Sequence, residues 1–229
     1  MGGVEFSPMT LNQNAATRNI WSKSIPWPIG ADAMVVVPYR CEGAVNLTRL
    51  EPALRSWEKE TCVRFREMAA SEKLHDTYLL IRASTHCTTA TLGINPSGPT
   101  TVDIFDACGY GGVIHELGHA LGFMHEQCRS DRDKYVIIHL ENIRKGVPAY
   151  EYSLKSTNNF DVPFDYTSIM LYSGAGENGT RVMVARNPLF QTVMDYAQYL
   201  PTATPSFMNI KTLNRNYRCD NFAQSDYQP

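Results

Sequence analysis

A chain of 229 residues is long enough for one domain with a substantial core, or one domain split by a cleft. Its 21 Lys+Arg against 23 Asp+Glu give no strong field, so nothing points to nucleic acid or an anionic membrane surface as a partner. No apolar run approaches the ~18 residues needed to span a bilayer, and the opening MGGVEFSPMT has neither the charged n-region nor the apolar h-region of a secretory leader.

Residues 1–18 are polar without periodicity and read as a poorly ordered lead or the end of a pro-segment. The β-branched run Val35–Val37 predicts a buried strand. From Asn46 to Thr61 the spacing of Leu50, Leu54 and Trp57 predicts a helix, with Pro52 in its first turn, where a missing N–H is tolerated. Thr77–Ile81 reads as another strand, and Ser97-Gly98-Pro99 as a turn. A glycine-rich stretch, Gly109 to Gly112, precedes a helix from about Gly112 to Leu121. It is not a phosphate loop, because no Lys-Ser/Thr follows.

That helix carries the strongest signal, His115-Glu116-Leu117-Gly118-His119. Residues four apart share a helix face, so both imidazoles can bind one zinc ion while Glu116 stands beside it as a general base. Gly122 and His125 extend the pattern to HExxHxxGxxH. Gly122 supplies the positive φ that lets the chain turn back, and His125 adds a third nitrogen ligand, leaving a coordination position for water. With three histidines already at ligand spacing, Cys128 is not expected to bind the metal. His75, His86 and His139 have no such spacing and read as surface or locally hydrogen-bonded residues. Beyond the helix, glycine, proline and polar residues rise through 145–206, and long elements look sparse.

The predicted class is α+β: an N-terminal α/β lobe (about 19–125) with a mixed sheet and the zinc helix, an irregular C-terminal lobe (about 126–229), and a cleft between them. Six cysteines suggest disulfides in a secreted protein, and six allow 15 connectivities. Two sequons fit secretion, with Asn46 and Asn178 as candidate glycosylation sites.

Further motifs resemble one family. His125-Glu126-Gln127 with Arg129, Asp131, Arg132 and Asp133 is similar to the signature of the astacin family of zinc endopeptidases, in the metzincin clan. Tyr166-Thr167-Ser168-Ile169-Met170-Leu171-Tyr172 resembles its Met-turn. Trp27-Pro28, Val35 to Tyr39, Thr61 to Phe65, and Leu213-Asn214 through Tyr217 and Cys219 resemble further segments, so the likeness covers roughly 19–220. Arg18-Asn19-Ile20 and Asn158 to Tyr166 look most like the vertebrate hatching-enzyme group. Leu171 departs from the family's usual His, and Met194–Ile210 keeps few of its markers.

The resemblance implies a secreted protease that binds one zinc ion per chain and takes protein or peptide substrates. Met170 would lie beneath the metal. Tyr172 would be an additional ligand that swings away to stabilise the transition state. An activating protease cutting after Arg18 would free an amino terminus at Asn19, which folds in to meet Glu126; otherwise Glu126 pairs with Arg129 or Arg132. Implied disulfides are Cys62–Cys219 and Cys87–Cys108, with the long closure stabilising more, by on the order of 1 kcal/mol. Cys41 and Cys128 are left over, to pair with each other or stay free. No heptads suggest an assembly, so a monomer is expected. The alternative is a zinc-binding astacin-like protein without turnover, favoured only by Leu171 and the 194–210 segment.

Overall fold

The computed structural model describes residues 18–72, 77–196 and 203–219. The expected lead therefore lies outside the described residues except for Arg18, and so does His75. In chain order the elements are β1 (Arg18–Trp21), β2 (Val35–Glu42), α1 (Leu47–Glu58), β3 (Val63–Glu67), β4 (Leu79–Ala83), β5 (Thr88–Thr89), β6 (Thr100–Ile104), α2 (Gly109–Ala120), β7 (Val136–Ile138), β8 (Thr157–Asn159), β9 (Met183–Ala185), α3 (Gln191–Tyr196) and α4 (Phe207–Tyr217). Short 3-10 turns link many of them.

The main sheet has the order β3-β2-β4-β6-β5 and is mixed. β2, β3, β4 and β6 run parallel, while β5 closes one edge antiparallel to β6. Along β2, Val35, Val37 and Tyr39 are buried while Val36 is 42% exposed, so one face of this strand meets the core and the other meets water. Pro38 is tolerated inside β2 because it pairs only with β3; pairing with β4 begins at Tyr39.

Leu50, Leu54 and Trp57 of α1 do form its buried face. The helix starts at Leu47 and ends at Glu58, so Pro52 is its sixth residue, inside the helix rather than in the first turn, and leaves the Thr48 carbonyl without its usual i+4 donor. The Thr61 hydroxyl donates to Trp57 O at 2.5 Å, where the chain leaves the helix. Helix α2 begins at Gly109, three residues earlier than the pattern predicted.

Two hydrophobic clusters hold the molecule. The larger joins Val37, Trp57, Ile81, Val102, Ile114 and Leu117 to Met170, Leu213 and Tyr217. The smaller joins Val136, Tyr152, Phe164, Leu171, Met183 and Met194. The cores therefore do not divide at residue 125: α4, in the region read as irregular, returns to the first cluster. Cys62 and Cys219 are disulfide-bonded across 157 residues, and Cys87 and Cys108 across 21. The further pair considered for Cys41 and Cys128 is not formed. Cys41 is half-buried on β2, while Cys128 is buried and its Sγ donates to Glu151 O at 3.0 Å. No helix among the described residues is long and apolar enough to cross a membrane.

Candidate active site

Helix α2 is fixed along its length by side chains. Trp57 Nε1 donates to Ile114 O at 3.0 Å, Trp27 Nε1 to Ala120 O at 2.9 Å, and the Tyr217 hydroxyl to Leu121 O at 3.1 Å. The last two meet carbonyls that a helix end leaves without partners. Gly122, at φ +103°, then reverses the chain. Its N–H bonds His119 O at 2.9 Å and the Phe123 N–H bonds Gly118 O at 3.1 Å, the Schellman arrangement that the sequence spacing anticipated only as a positive-φ turn.

The turn brings His125 back to His115 and His119. All three are buried, and the His125 Nε2 lies 3.1 Å from that of His115 and 3.0 Å from that of His119. Each Nδ1 faces an acceptor: Ile169 O at 2.7 Å for His115, Phe123 O at 2.8 Å for His119, and the Glu151 carboxylate at 3.0 Å for His125. These acceptors require the proton on Nδ1, so three Nε2 lone pairs converge on one point. Burial, reinforced by the neighbouring imidazoles, holds His119 and His125 well below the ordinary imidazole range, so both stay neutral. Converging neutral acceptors repel unless a cation sits among them. Tetrahedral zinc at ~2.0–2.1 Å from each nitrogen separates its ligands by about 3.3 Å, so the donor set fits this metal. The same three residues are the metal-capable cluster among the described residues.

Glu116 lies beside the triad and is buried. The Thr89 hydroxyl, delivered by edge strand β5, is 2.9 Å from Glu116 Oε2 and 2.9 Å from its carbonyl oxygen. Burial pushes the Glu116 carboxyl up, while His115 and Thr89 oppose that. Met170 is fully buried under α2, so close that a Cβ on Gly118 would lie 2.6 Å from its Sδ. The Met-turn is pinned by α4: Asn209 Oδ1 accepts from Ile169 N at 3.1 Å, and its Nδ2 donates to Ser168 Oγ at 2.9 Å. Ser206 caps α4 and donates to Asp165.

The Tyr172 ring centroid is 4.3 Å from that of His125, and the Tyr172 N–H bonds Gln127 Oε1 at 3.1 Å. Burial, then Glu151 and Glu116, push its phenol up, so it remains a donor. Tyr172, Tyr152, Glu151 and Arg144 line a cleft of about 350 Å³. Glu126 is buried against Arg129, at 3.0 Å, and accepts from Asp165 N at 2.9 Å. Arg132 instead bonds the carbonyls of Gln127 and Tyr152, each at 2.7 Å. Leu171 is buried in the smaller core. The His86 and His139 rings bond the nearby side chains of Thr85 and Glu141.

The family model for Astacin, a family of peptidases, matches residues 27–218. The chain belongs to the astacin family. High choriolytic enzyme 1 of Oryzias latipes is 37% identical over 173 residues, covering 70% of this chain and 58% of that protein. Protein SpAN of Strongylocentrotus purpuratus is 31% identical over 195 residues, covering 81% of this chain and 31% of that protein. The chain thus spans less than two thirds of either relative. The solved structure of High choriolytic enzyme 1, described as a hatching enzyme zinc-protease, superposes with a TM-score of 0.74 at 30% identity over 89% of this chain and 99% of that one. The α+β architecture with its mixed sheet is accordingly the astacin fold, of the metzincin type.

The sequence motifs do not reach the supports of the site. Thr89, Glu151, Ser206 and Asn209 belong to none of them. Gly118 alone leaves a local signal, a small residue inside the HExxH turn.

Proposed function

We propose that the chain is a secreted zinc-dependent endopeptidase. The observation that carries this is the convergence of three buried imidazole Nε2 atoms beside the Glu116 carboxylate. One zinc ion held by His115, His119 and His125 would supply an acidified water and a Lewis acid. Glu116 takes the proton of the attacking water and passes it to the leaving amine. Thr89 holds that carboxylate in position. The Tyr172 phenol, kept protonated, donates to the oxyanion that develops on the scissile carbonyl. Met170 forms the floor beneath the histidines.

The peptidase domain is proposed to run over 19–229, as a monomer acting on proteins or peptides in the cleft between the two cores. Cutting after Arg18 would free the Asn19 amine for Glu126. The buried position of Glu126 directly after His125, and the bridge between Ile20 and Phe123, support that reading. Asn178 is exposed and Asn46 half-buried; both are proposed glycan acceptors. Of the two features that favoured the reading without turnover, Leu171 packs in a core, and the segment 194–210 lies partly outside the described residues, at 197–202; Glu116 and Tyr172, which turnover needs, are both retained.

The test is casein cleavage by wild-type protein and Glu116→Gln. The variant keeps its zinc and loses nearly all turnover. Retention of more than a tenth of wild-type activity contradicts the assignment.

A further inference from the structure

We propose that Glu151 is a positioning residue for His125, and that its carboxylate sets the metal affinity of the site. This rests on the zinc reading above. The three imidazoles are not supported alike. His115 and His119 are held by the backbone of one helix and donate Nδ1–H to main-chain carbonyls. His125 stands beyond the helix, after the Gly122 reversal, and its Nδ1 faces Glu151 at 3.0 Å. The ligand with the least backbone constraint thus has the one ionisable partner. A charge-assisted bond is roughly twice as strong as a neutral one, and such a carboxylate orients the ring and raises its donor strength toward a metal.

Glu151 is itself held. It sits on the 3-10 turn Ala149–Tyr152, and its carbonyl accepts from Cys128 Sγ at 3.0 Å and Gln127 Nε2 at 3.4 Å. Arg132 bridges the same two segments through Gln127 O and Tyr152 O. Glu151 and Tyr172 also line one cleft. A segment of the cleft wall is thereby tied to the third histidine.

The experiment compares the full chain with Glu151→Gln and Glu151→Ala. Zinc affinity is read by competition with a chromophoric chelator, and ligand geometry by the visible spectrum of the cobalt-substituted protein. Glu151→Ala should lose roughly 10–100-fold in zinc affinity and shift the cobalt bands, with an unchanged circular dichroism spectrum before metal is added. Glu151→Gln keeps an acceptor oxygen without the charge, like the carbonyls that serve His115 and His119, and should lose about threefold to tenfold. Such partial rescue would not follow from a space-filling role. If Glu151→Ala binds zinc within twofold of wild type, the proposal is overturned. Should that variant fail to fold, Glu151→Gln binding within twofold overturns it equally. A wild-type chain that binds no zinc removes the proposed function itself, and the role of Glu151 with it.

Discussion

At the scale of single residues, the site depends on close approach as much as on ligands. Gly118 faces the Met170 sulfur and the Trp57 ring, both fully buried. Helix propensity alone would favour alanine here by about 1 kcal/mol. The added methyl must displace buried atoms, and overpacking of this kind costs about 1–3 kcal/mol. Gly118→Ala should therefore lower the thermal midpoint, as measured by calorimetry; an unchanged or raised midpoint would show that Met170 yields freely. Tyr172 makes a different prediction. If its phenol donates to charge that exists only in the transition state, as proposed, Tyr172→Phe should lower kcat more than it raises KM. A change confined to KM would make it a substrate-binding residue. The histidines and Glu116 were legible because metal chemistry fixes their spacing on a helix. Thr89 and Glu151 were not, because they reach the site from a strand edge and a 3-10 turn, 27 and 26 residues from the groups they bond.

At the scale of elements, α2 acts as a rigid ligand carrier because other elements close its carbonyls, and α4 acts at a distance by holding the Met-turn through Asn209. The sequence legibly marked α1, α2 and β2 by apolar periodicity and β-branching. It did not mark α4: Phe207, with 41% exposure, and the polar Asn209, Thr212 and Asn214 blur its apolar face, and its first turn is committed to hydrogen bonds rather than packing. The two disulfides differ in reach. Cys62–Cys219 ties the residue just before β3 to the segment just past α4, while Cys87–Cys108 closes a short loop ahead of α2. On chain-entropy grounds, replacing the first pair by serine should destabilise more than replacing the second, by on the order of 1 kcal/mol. Chemical denaturation of the two double variants measures this; the reverse order would show that native-state packing, not loop closure, dominates.

At the scale of the whole molecule, several acidic protons are buried in the folded state. Burial pushes the Cys128 thiol from 9.0 up to about 12 and the Tyr39 phenol from 10.0 up to about 12, with Tyr217 raised in the same direction. Between about pH 9 and pH 12 the folded chain therefore holds more protons than the unfolded chain. Their stabilising contribution is complete below about pH 9 and is lost as pH rises through that window. The urea midpoint should fall between about pH 8.5 and about pH 11, and Cys128→Ala should flatten part of the fall. A midpoint independent of pH would mean that these groups ionise without opening the core.

Three converging imidazoles and one carboxylate are proposed to form a working zinc peptidase. The most direct test is casein cleavage by the chain after cutting at Arg18, with a zinc chelator, with zinc restored, and with Glu116→Gln alongside. Cleavage should stop with the chelator, return with added zinc, and be absent from Glu116→Gln, which still binds zinc. Folded protein with bound zinc and no cleavage would contradict the proposal.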